Sequence, residues 1–335
     1  MKNIFSSDKI SKFFSLLNSS ERVVILSHTN PDGDAIGSSL GLLRGLRSRF
    51  PDKKFRIYVP NEMPSTLRFL DTNRDVEVWA ASTNESTAFI AAADLVIMSD
   101  FNDPHRLEGM GGALEKNFFA PRVLIDHHLS PKSYDVNFHD ASASSASLLA
   151  YYLLEAMEIK LTAEIAEPLY AGMMTDTGGF MFSNLNAELY SAVAEIARTG
   201  VNLVRVNREI LNTQSEDRVR LTSYLLSNNM TLDKEHRSAY ITLSQEEKLQ
   251  YNYKTGDTEG LVNVPQTIEG IDFSTLLIEN KDHIKLSLRS LSDIDVNAIA
   301  NEHFNGGGHK NAAGGKFYGT MEEAVEVLKT IIEKL

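Results

Sequence analysis

The segment S-H-T-N-P-D-G-D-A-I-G, residues 27–37, lies between two segments with different hydrophobic patterns. Before it, residues 23–26 read V-V-I-L, a short and mostly β-branched apolar run that is typical of a buried strand. After it, apolar residues recur at three- and four-residue spacing from Ile36 to Leu46, which predicts an amphipathic helix. The segment therefore forms the turn between the carboxyl end of a strand and a helix, where open α/β sheets bind ligands.

This turn carries the side chains of a metal site. His28, Asp32 and Asp34 offer nitrogen and hard oxygen ligands, while Pro31 and Gly33 favour a tight bend that can direct them to one point. The sequence contains no cysteine, which excludes thiolate zinc and iron–sulfur sites. The alternative is that Asp34 caps the helix and His28 merely ends the strand, because short motifs also occur by chance.

Other apolar runs follow at intervals that alternate with helical segments. Residues 55–59 and 76–79 read as strands, the latter as an edge strand, and residues 63–70 as a short helix. Residues 94–100 (D-L-V-I-M-S-D) and 122–128 (R-V-L-I-D-H-H) read as buried parallel strands. Parallel connections place the carboxyl ends of such strands on one edge of the sheet. We therefore expect the acidic and histidine residues at three strand ends to converge there.

One further carboxylate falls at the end of a helix. Apolar residues at helical spacing lead to M-M-T-D-T-G-G-F, in which Asp176 precedes Gly178 and Gly179. The helix dipole disfavours a negative charge at this end. A bound cation would explain the carboxylate, and a solvated loop aspartate is the alternative.

The pattern changes in the last third of the chain. Residues 213–226 form a polar-to-apolar helix, after which strands at Ser238–Leu243, Phe273–Glu279 and 284–289 precede a helix at Val296–His303. A glycine-rich loop, N-G-G-G-H-K-N-A-A-G-G at residues 305–315, then leads to a strand at 316–318 and a final helix. The fold class is thus α/β, with a parallel-sheet domain and a smaller α/β domain. The predicted division is residues 1–212, a linker helix at 213–232, and residues 233–335.

The glycine-rich loop can bind substrate. Gly306, Gly307 and Gly308 permit close approach and expose backbone N–H groups that can wrap a phosphate, and His309 adds a donor. Arg289, at the end of a preceding strand, is the nearest cation in the predicted fold, and a guanidinium suits bidentate contact with phosphate. The alternative is a glycine-rich turn that serves packing alone.

Composition restricts the partners and the location. The formal net charge of the 335 residues is −12, which suits long duplex nucleic acid poorly but leaves a short phosphate substrate open. No apolar core of a signal peptide is present at the N-terminus, and the longest apolar stretch, residues 88–98, is broken by Asp94. We expect a soluble cytoplasmic protein without membrane association.

The motifs H-T-N-P-D-G-D, the Asp100 strand end, D-H-H, T-D-T-G-G-F and G-G-G-H-K-N-A-A-G occur in this order. Together they strongly resemble the DHH phosphoesterase family, named after the triplet that is here Asp126, His127 and His128. The last motif resembles the family's associated C-terminal domain, so the resemblance covers nearly the whole chain. The two-domain size is similar to that of the nanoRNases of this family, which degrade very short oligoribonucleotides and dephosphorylate 3′-phosphoadenosine 5′-phosphate (pAp).

The resemblance implies two Mn²⁺ ions, with Mg²⁺ as a substitute. The implied ligands of the first ion are His28, Asp32 and Asp100, and those of the second are Asp34, Asp100, His127 and Asp176. Asp100 would thus bridge the ions, which is consistent with the need of clustered carboxylates for cations.

Two more roles are carried over with the family motif. His128 would face the scissile phosphate, with Asp126 behind the histidines as their hydrogen-bonding partner. The sequence S-D-F-N-D around Asp100 departs from many relatives, which have a small polar residue where Phe101 stands. The implied ligand is kept, but the contacts of its neighbours are open.

The implied function is manganese-dependent hydrolysis of very short oligoribonucleotides to mononucleotides, together with conversion of pAp to AMP. Alternatives within hydrolases are linear or cyclic dinucleotides and inorganic polyphosphate. A rival from another class is a catalytically silent nucleotide-binding regulator, which the complete set of family ligand positions disfavours. A homodimer is compatible with the sequence, which fixes neither the polarity nor the length preference of degradation.

Overall fold

The computed structural model describes residues 4–181, 185–291 and 293–335. The chain forms two compact units, Met1–Thr213 and Gln214–Leu335. Within the described residues, no helix has both the length and the hydropathy that crossing a membrane requires.

A parallel sheet forms the centre of the first unit. Within its described residues, six strands pair in the order β3-β2-β1-β4-β5-β6, and every pairing is parallel. The strands are β1 (Arg22–Leu26), β2 (Lys54–Val59), β3 (Val76–Val78), β4 (Leu95–Ser99), β5 (Arg122–Asp126) and β6 (Val136–His139). This order confirms the predicted parallel sheet and the edge position of β3, whereas β6 was not predicted from the sequence.

Helices cover both faces of this sheet. They are α1 (Ser7–Ser19), α2 (Gly33–Arg49), α3 (Thr83–Ala91), α4 (Gly111–Lys116), α5 (Ala146–Ala156), α6 (Ala163–Asp176), α7 (Ala187–Arg198) and α8 (Leu203–Asn207). Alternate residues of β1 enter different cores: Val23 and Ile25 pack with α1, α2, α5 and α6, and Val24 and Leu26 pack with α3 and α4. Burial on both faces explains the continuous apolar runs of the strands.

Glycines let α2 approach α6 closely. In α2 they recur every four residues at Gly33, Gly37, Gly41 and Gly45, which places them along one side of the helix. A Cβ on Gly37 would overlap the carbonyl oxygen of Pro168 in α6, and one on Gly33 would overlap the Thr175 side chain. This contact brings the first turn of α2 beside the last turn of α6, where two of the predicted ligands lie.

A second sheet forms the centre of the second unit. Within the described part of this unit, six strands pair in the order β11-β12-β10-β9-β8-β7, and only the β8–β9 pairing is parallel. The strands are β7 (Met230–Asp233), β8 (Ser238–Leu243), β9 (Phe273–Glu279), β10 (Ile284–Ser290), β11 (Gly307–His309) and β12 (Ala312–Phe317). The helices are α9 (Glu216–Tyr224), α10 (Gln245–Gln250), α11 (Val296–His303) and α12 (Met321–Ile332).

Several elements differ from the sequence prediction. Residues 305–315 are not a loop, because β11 and β12 pair within them as an antiparallel hairpin. The segment expected as a short helix at residues 63–70 is the 3₁₀ helix Ser65–Leu70. The helix assigned to a linker, α9, lies in the second unit, where Leu221 and Leu225 are buried with residues of β8 and β9. Helix α9 packs there because burial of its apolar side chains in the core of the second unit is favourable.

Candidate metal centre

The predicted ligands lie at the carboxyl ends of neighbouring strands. His28 follows β1, Asp100 follows β4, and His127 follows β5. Chain order along the sheet reverses between β1 and β4, which leaves a crevice outside these strand ends. Two helices also contribute to the site: Asp34 lies in the first turn of α2, and Asp176 is the last residue of α6. The structure thus brings together residues that are almost 150 positions apart in the sequence.

One cluster consists of His28, Asp32 and Asp100, whose potential ligand atoms lie within 4.8 Å of one another. The Nε2 atom of His28 is 3.4 Å from Oδ2 of Asp100 and 3.9 Å from Oδ2 of Asp32. His28 and Asp100 are buried, whereas the Asp32 side chain is 54% exposed. The cluster therefore opens to solvent on the side of Asp32.

A second cluster adjoins the first through Asp100. The Nε2 atom of His127 is 3.4 Å from Oδ2 of Asp176 and 3.8 Å from Oδ2 of Asp34. It also lies 3.6 Å from Oδ1 of Asp100. Asp100 thus directs one carboxylate oxygen toward each cluster, because its other oxygen, Oδ2, lies near His28. This arrangement is consistent with the bridging role that the family resemblance implies.

Backbone carbonyls fix the tautomers of both histidines. The Nδ1–H of His28 donates to the carbonyl oxygen of Thr29 at 2.8 Å. The Nδ1–H of His127 donates to the carbonyl oxygen of Ala143 at 3.2 Å. Because a carbonyl oxygen can only accept, each Nδ1 carries a proton, and Nε2 is the ring atom directed at the carboxylates. A neutral imidazole in this orientation would bind a metal through Nε2.

Two aspartates are held by backbone N–H groups. Asp32, not Asp34, caps α2: its Oδ1 accepts from the N–H groups of Asp34 and Ala35, both at 3.0 Å. Asp34 instead accepts from the first residues of α5, with Oδ2 at 2.6 Å from the nitrogen of Ala146 and Oδ1 at 2.8 Å from that of Ser147. The capping alternative for Asp34 is therefore wrong for α2.

Crowding and burial disturb the ionisation of these groups. Burial raises the pKa of Asp100 well above its ordinary value, and Asp34 raises it further. Burial, with Asp34 nearby, raises the pKa of Asp176 to about 8. Burial lowers the pKa of His28 to about 4. Without cations, burial and mutual repulsion therefore favour the protonated forms of Asp100 and Asp176. A divalent cation would allow the clustered carboxylates to coexist as anions.

The residues present fit such a cation. Within the described part of the chain, the buried atoms Nε2 of His28 and Oδ1 of Asp100 make no hydrogen bond. Asp100 also has a left-handed backbone with φ of 65°, which L-residues rarely adopt and which occurs often at functional sites. Imidazole nitrogen and carboxylate oxygen suit Mn²⁺ and other divalent ions of similar hardness.

His128 lies beside the clusters with partners on both ring nitrogens. Its Nδ1–H donates to Oδ1 of Asp126 at 2.8 Å, and its backbone N–H donates to Oδ2 of the same carboxylate at 3.2 Å. Its Nε2 accepts from Nη1 of Arg106 at 2.8 Å. The proximity of His128 lowers the pKa of Asp126 against the effect of burial. The Asp126 carboxylate thus fixes the orientation of the His128 ring.

Arg106 is the residue of this site that the sequence analysis missed. It lies in a 3₁₀ helix, Pro104–Met110, six positions after Asp100, and no pattern of spacing marks it. The available signal was a cationic residue in the connection that follows a ligand-bearing strand end. Phe101, the position at which the sequence departs from many relatives, is buried in the core with residues of α3 and α4.

The predicted substrate-binding residues all lie in the second unit. Arg289 on β10 and His309 on β11 are both register partners of Ala312 on β12, so they share one face of the sheet, roughly 10 Å apart. Two of the three glycine N–H groups already have acceptors: that of Gly306 donates to Ala300 at 3.0 Å, and that of Gly308 to Asn297 at 2.8 Å. The N–H groups of Gly306 and Gly308 are therefore not available for the expected phosphate cradle.

The glycines of this hairpin also have a packing role. A Cβ on Gly306 would overlap the carbonyl oxygen of Gly314, and one on Gly308 would lie 2.8 Å from the Cα of Ala313. Gly308 has φ of 154°, within the region that favours glycine. Packing alone would therefore require these two glycines.

Two family models match the chain. The DHH family, N-terminal domain matches residues 22–173, which include every predicted ligand except Asp176. The DHHA1 domain matches residues 238–334, which include Arg289 and the hairpin.

Similar proteins match over nearly the whole chain. The probable bifunctional oligoribonuclease and PAP phosphatase NrnA of Streptococcus mutans is 28% identical over 317 residues, which cover 93% of this chain and 96% of that protein. The bifunctional oligoribonuclease and PAP phosphatase NrnA of Thermus thermophilus is 28% identical over 316 residues, with coverages of 93% and 90%. The crystal structure of an exopolyphosphatase-related protein from Bacteroides fragilis has a TM-score of 0.93 and 39% identity, with coverages of 100% and 98%. The chain therefore belongs to the DHH family of phosphoesterases and carries a DHHA1 domain in its second unit.

Proposed function

We propose that the protein is a manganese-dependent phosphodiesterase that hydrolyses very short oligoribonucleotides to mononucleotides and converts pAp to AMP. The observation that carries this proposal is the pair of histidine–aspartate clusters that meet at Asp100. The near full-length similarity to proteins named as oligoribonucleases and PAP phosphatases directs it toward these substrates.

Each cluster would hold one ion. His28, Asp32 and Asp100 would bind the first, and Asp34, Asp100, His127 and Asp176 the second. Bound divalent cations would supply Lewis-acid stabilisation of the phosphate charge and a water of lowered pKa for in-line attack. The protein's own contribution is to keep both histidines in the Nδ1–H tautomer and to aim the carboxylates.

His128 is the candidate group for proton movement at the scissile phosphate. Its orientation is fixed by the Asp126 carboxylate, which accepts from both its ring and its backbone. We assign this chemistry to residues 1–212, and substrate binding to Arg289 and His309 in residues 233–335.

A second candidate function is exopolyphosphatase activity. It is favoured by the 39% identity to a protein described as exopolyphosphatase-related. Linear dinucleotides such as pApA are a third type of substrate that the same metal chemistry could hydrolyse.

A substrate panel tests the proposal. Purified protein in Mn²⁺ is assayed with ribonucleotides of two to five residues, pAp, pApA and inorganic polyphosphate, with Asp100→Ala protein as the blank. We expect turnover of the short ribonucleotides and of pAp. Turnover of polyphosphate alone would replace the proposal by the second candidate. Tight nucleotide binding in calorimetry without turnover in any divalent metal would instead support a silent regulator.

A further inference from the structure

Arg106 is the group at the metal centre that neither the family motifs nor the ligand clusters account for. Its guanidinium donates from Nη1 to Nε2 of His128 at 2.8 Å. Because a guanidinium remains protonated and can only donate, Nε2 of His128 must be the acceptor. The ring therefore has Nδ1–H directed to Asp126 and its Nε2 lone pair covered by Arg106.

The charge of Arg106 reaches both clusters. It lowers the pKa values of Asp32 and Asp100, which belong to the first cluster, and that of Asp176, which belongs to the second. It also lowers the pKa of His28. A half-buried cation in this position lies close to the place where the charge of a phosphate would be held by the clusters.

Two hydrogen bonds hold the backbone of Arg106 in place. Its carbonyl oxygen accepts from the N–H of Thr29 in the turn after β1, at 2.8 Å. Its own N–H donates to the carbonyl oxygen of Asp103 at 3.0 Å, and Asp103 pairs with Lys132 at 2.8 Å. The anchor thus joins Arg106 to the connection after β5 as well as to the turn after β1. From a fixed Cα, the guanidinium can exchange partners without any movement of the metal ligands.

We propose that Arg106 is a substrate-binding residue that leaves His128 to bind a non-bridging oxygen of the scissile phosphate. A planar guanidinium binds phosphate through charge-assisted hydrogen bonds and prefers this anion to a neutral imidazole. The exchange uncovers Nε2 of His128 only when a phosphate is present. The inference rests on the proposed phosphoesterase function, and it assigns recognition of the scissile group itself to the first unit.

The first test measures phosphate binding without turnover. Inorganic phosphate is titrated into Mg²⁺-loaded protein by calorimetry, and metal content is measured on the same samples. Arg106→Ala is expected to bind phosphate about 10- to 100-fold more weakly than the unchanged protein, the range for loss of a charge-assisted hydrogen bond. Arg106→Lys, which keeps the charge but not the planar fork, is expected to lie between them. Arg198→Ala, which removes an exposed arginine of α7, is the matched control and should bind phosphate normally.

The second test measures hydrolysis of a small generic ester, bis-p-nitrophenyl phosphate. We expect Arg106→Ala to lose about 10²- to 10³-fold in kcat/KM, as for removal of one group that stabilises transition-state charge. Added guanidinium ions should restore part of this activity, which a structural defect would not allow. Oligoribonucleotides should show a loss of the same size, since the contact is made to the reacting phosphate itself.

Phosphate binding that is unchanged in Arg106→Ala, or loss of bound metal in that variant, would overturn the inference. An absence of guanidinium rescue together with normal phosphate binding would show that Arg106 only positions His128. Failure of the proposed function has a different signature. The unchanged protein would then not hydrolyse oligoribonucleotides or pAp, whereas the dependence of phosphate binding on Arg106 would remain.

Discussion

The metal centre of the first unit and the glycine-rich hairpin of the second were both expected from short motifs, but they turned out differently. In the first unit, the predicted ligands of three strand ends and two helices lie within a few ångströms of one another. In the second, the expected loop is a paired hairpin, and two glycine N–H groups already have acceptors. A motif at the end of a parallel strand is therefore more informative than a motif of glycines.

The reason lies in the backbone. Parallel connections force strand ends to the same edge of a sheet, so a side chain placed there has a known neighbourhood. A glycine in a motif indicates only that the position has no room for a Cβ atom. The neighbour that takes up this room can be a ligand or another strand. At Gly306 the described structure contains such a cause, the carbonyl oxygen of Gly314.

The largest expected effect is at the residue shared by both clusters. Asp100→Ala should lower kcat by at least about 10³-fold, because a bridging carboxylate supports both ions that stabilise the transition state. Metal analysis should show loss of both ions, whereas His28→Ala should retain one. Two tightly bound ions in Asp100→Ala protein would contradict the bridging role.

A smaller loss of activity is expected for a change of Asp126, which orients His128. Asp126→Asn should lower kcat by about 10- to 100-fold while both metals stay bound, the usual size for loss of a group that orients a ligand or catalytic ring. The double variant with His128→Ala should be no slower than His128→Ala alone, because Asp126 acts through that ring. Fully additive losses would assign Asp126 a separate role, for example in folding.

The hairpin side of the comparison is tested by Arg289→Ala and His309→Ala. Each is expected to raise KM for oligoribonucleotides by about tenfold, since loss of one hydrogen bond to a charged group has this order of effect. Hydrolysis of bis-p-nitrophenyl phosphate should not change. His236→Ala, at the turn between β7 and β8 on the opposite edge of the same sheet, is the matched control. Equal losses on both substrates would move Arg289 and His309 to the catalytic step or to folding.

The smallest expected effect is a pH dependence of stability after removal of metal by chelation. The folded pKa of Asp176 is raised to about 8 and that of Asp100 is raised in the same direction, so the folded state binds more protons than the unfolded state in this range. Stability of the chelated protein should therefore fall as pH rises toward 8.

The opposite contribution comes from His28, whose pKa is lowered from its ordinary 6.5 to about 4. This contribution rises with pH only up to about 6.5 and is constant above it. Thermal melts between pH 6.5 and 8 exclude the His28 contribution. In this interval the pKa of His127, which Asp176 and Asp34 raise against the effect of burial, acts in the same direction as the carboxylates. We expect a decrease of a few degrees in Tm, removed by adding Mn²⁺. A Tm that rises over this interval would show that the carboxylates are not crowded.

Much of the first unit could be predicted from its sequence. The runs that became β1, β4 and β5 are apolar and free of glycine, and four or more residues of each strand are buried, so their hydrophobic pattern identified them as strands. Strand β6 was missed because Val136–His139 is short and alternates with polar residues. The hairpin was missed because Gly307–His309 has almost no side-chain signal, and its pairing depends on a partner strand.

By itself, the sequence determined which side chains end the parallel strands, and hence the chemistry of the metal centre, because the ends of parallel strands share an edge whatever their separation along the chain. Only the tertiary structure decided that Asp32 caps α2 while Asp34 binds the start of α5. It alone placed Arg106 on His128. The contacts of Asp34 and Arg106 join residues that are distant along the chain, so no sequence spacing encodes them. They arise because the glycine-lined helix α2 and the connections after β1, β4 and β5 pack closely around one point.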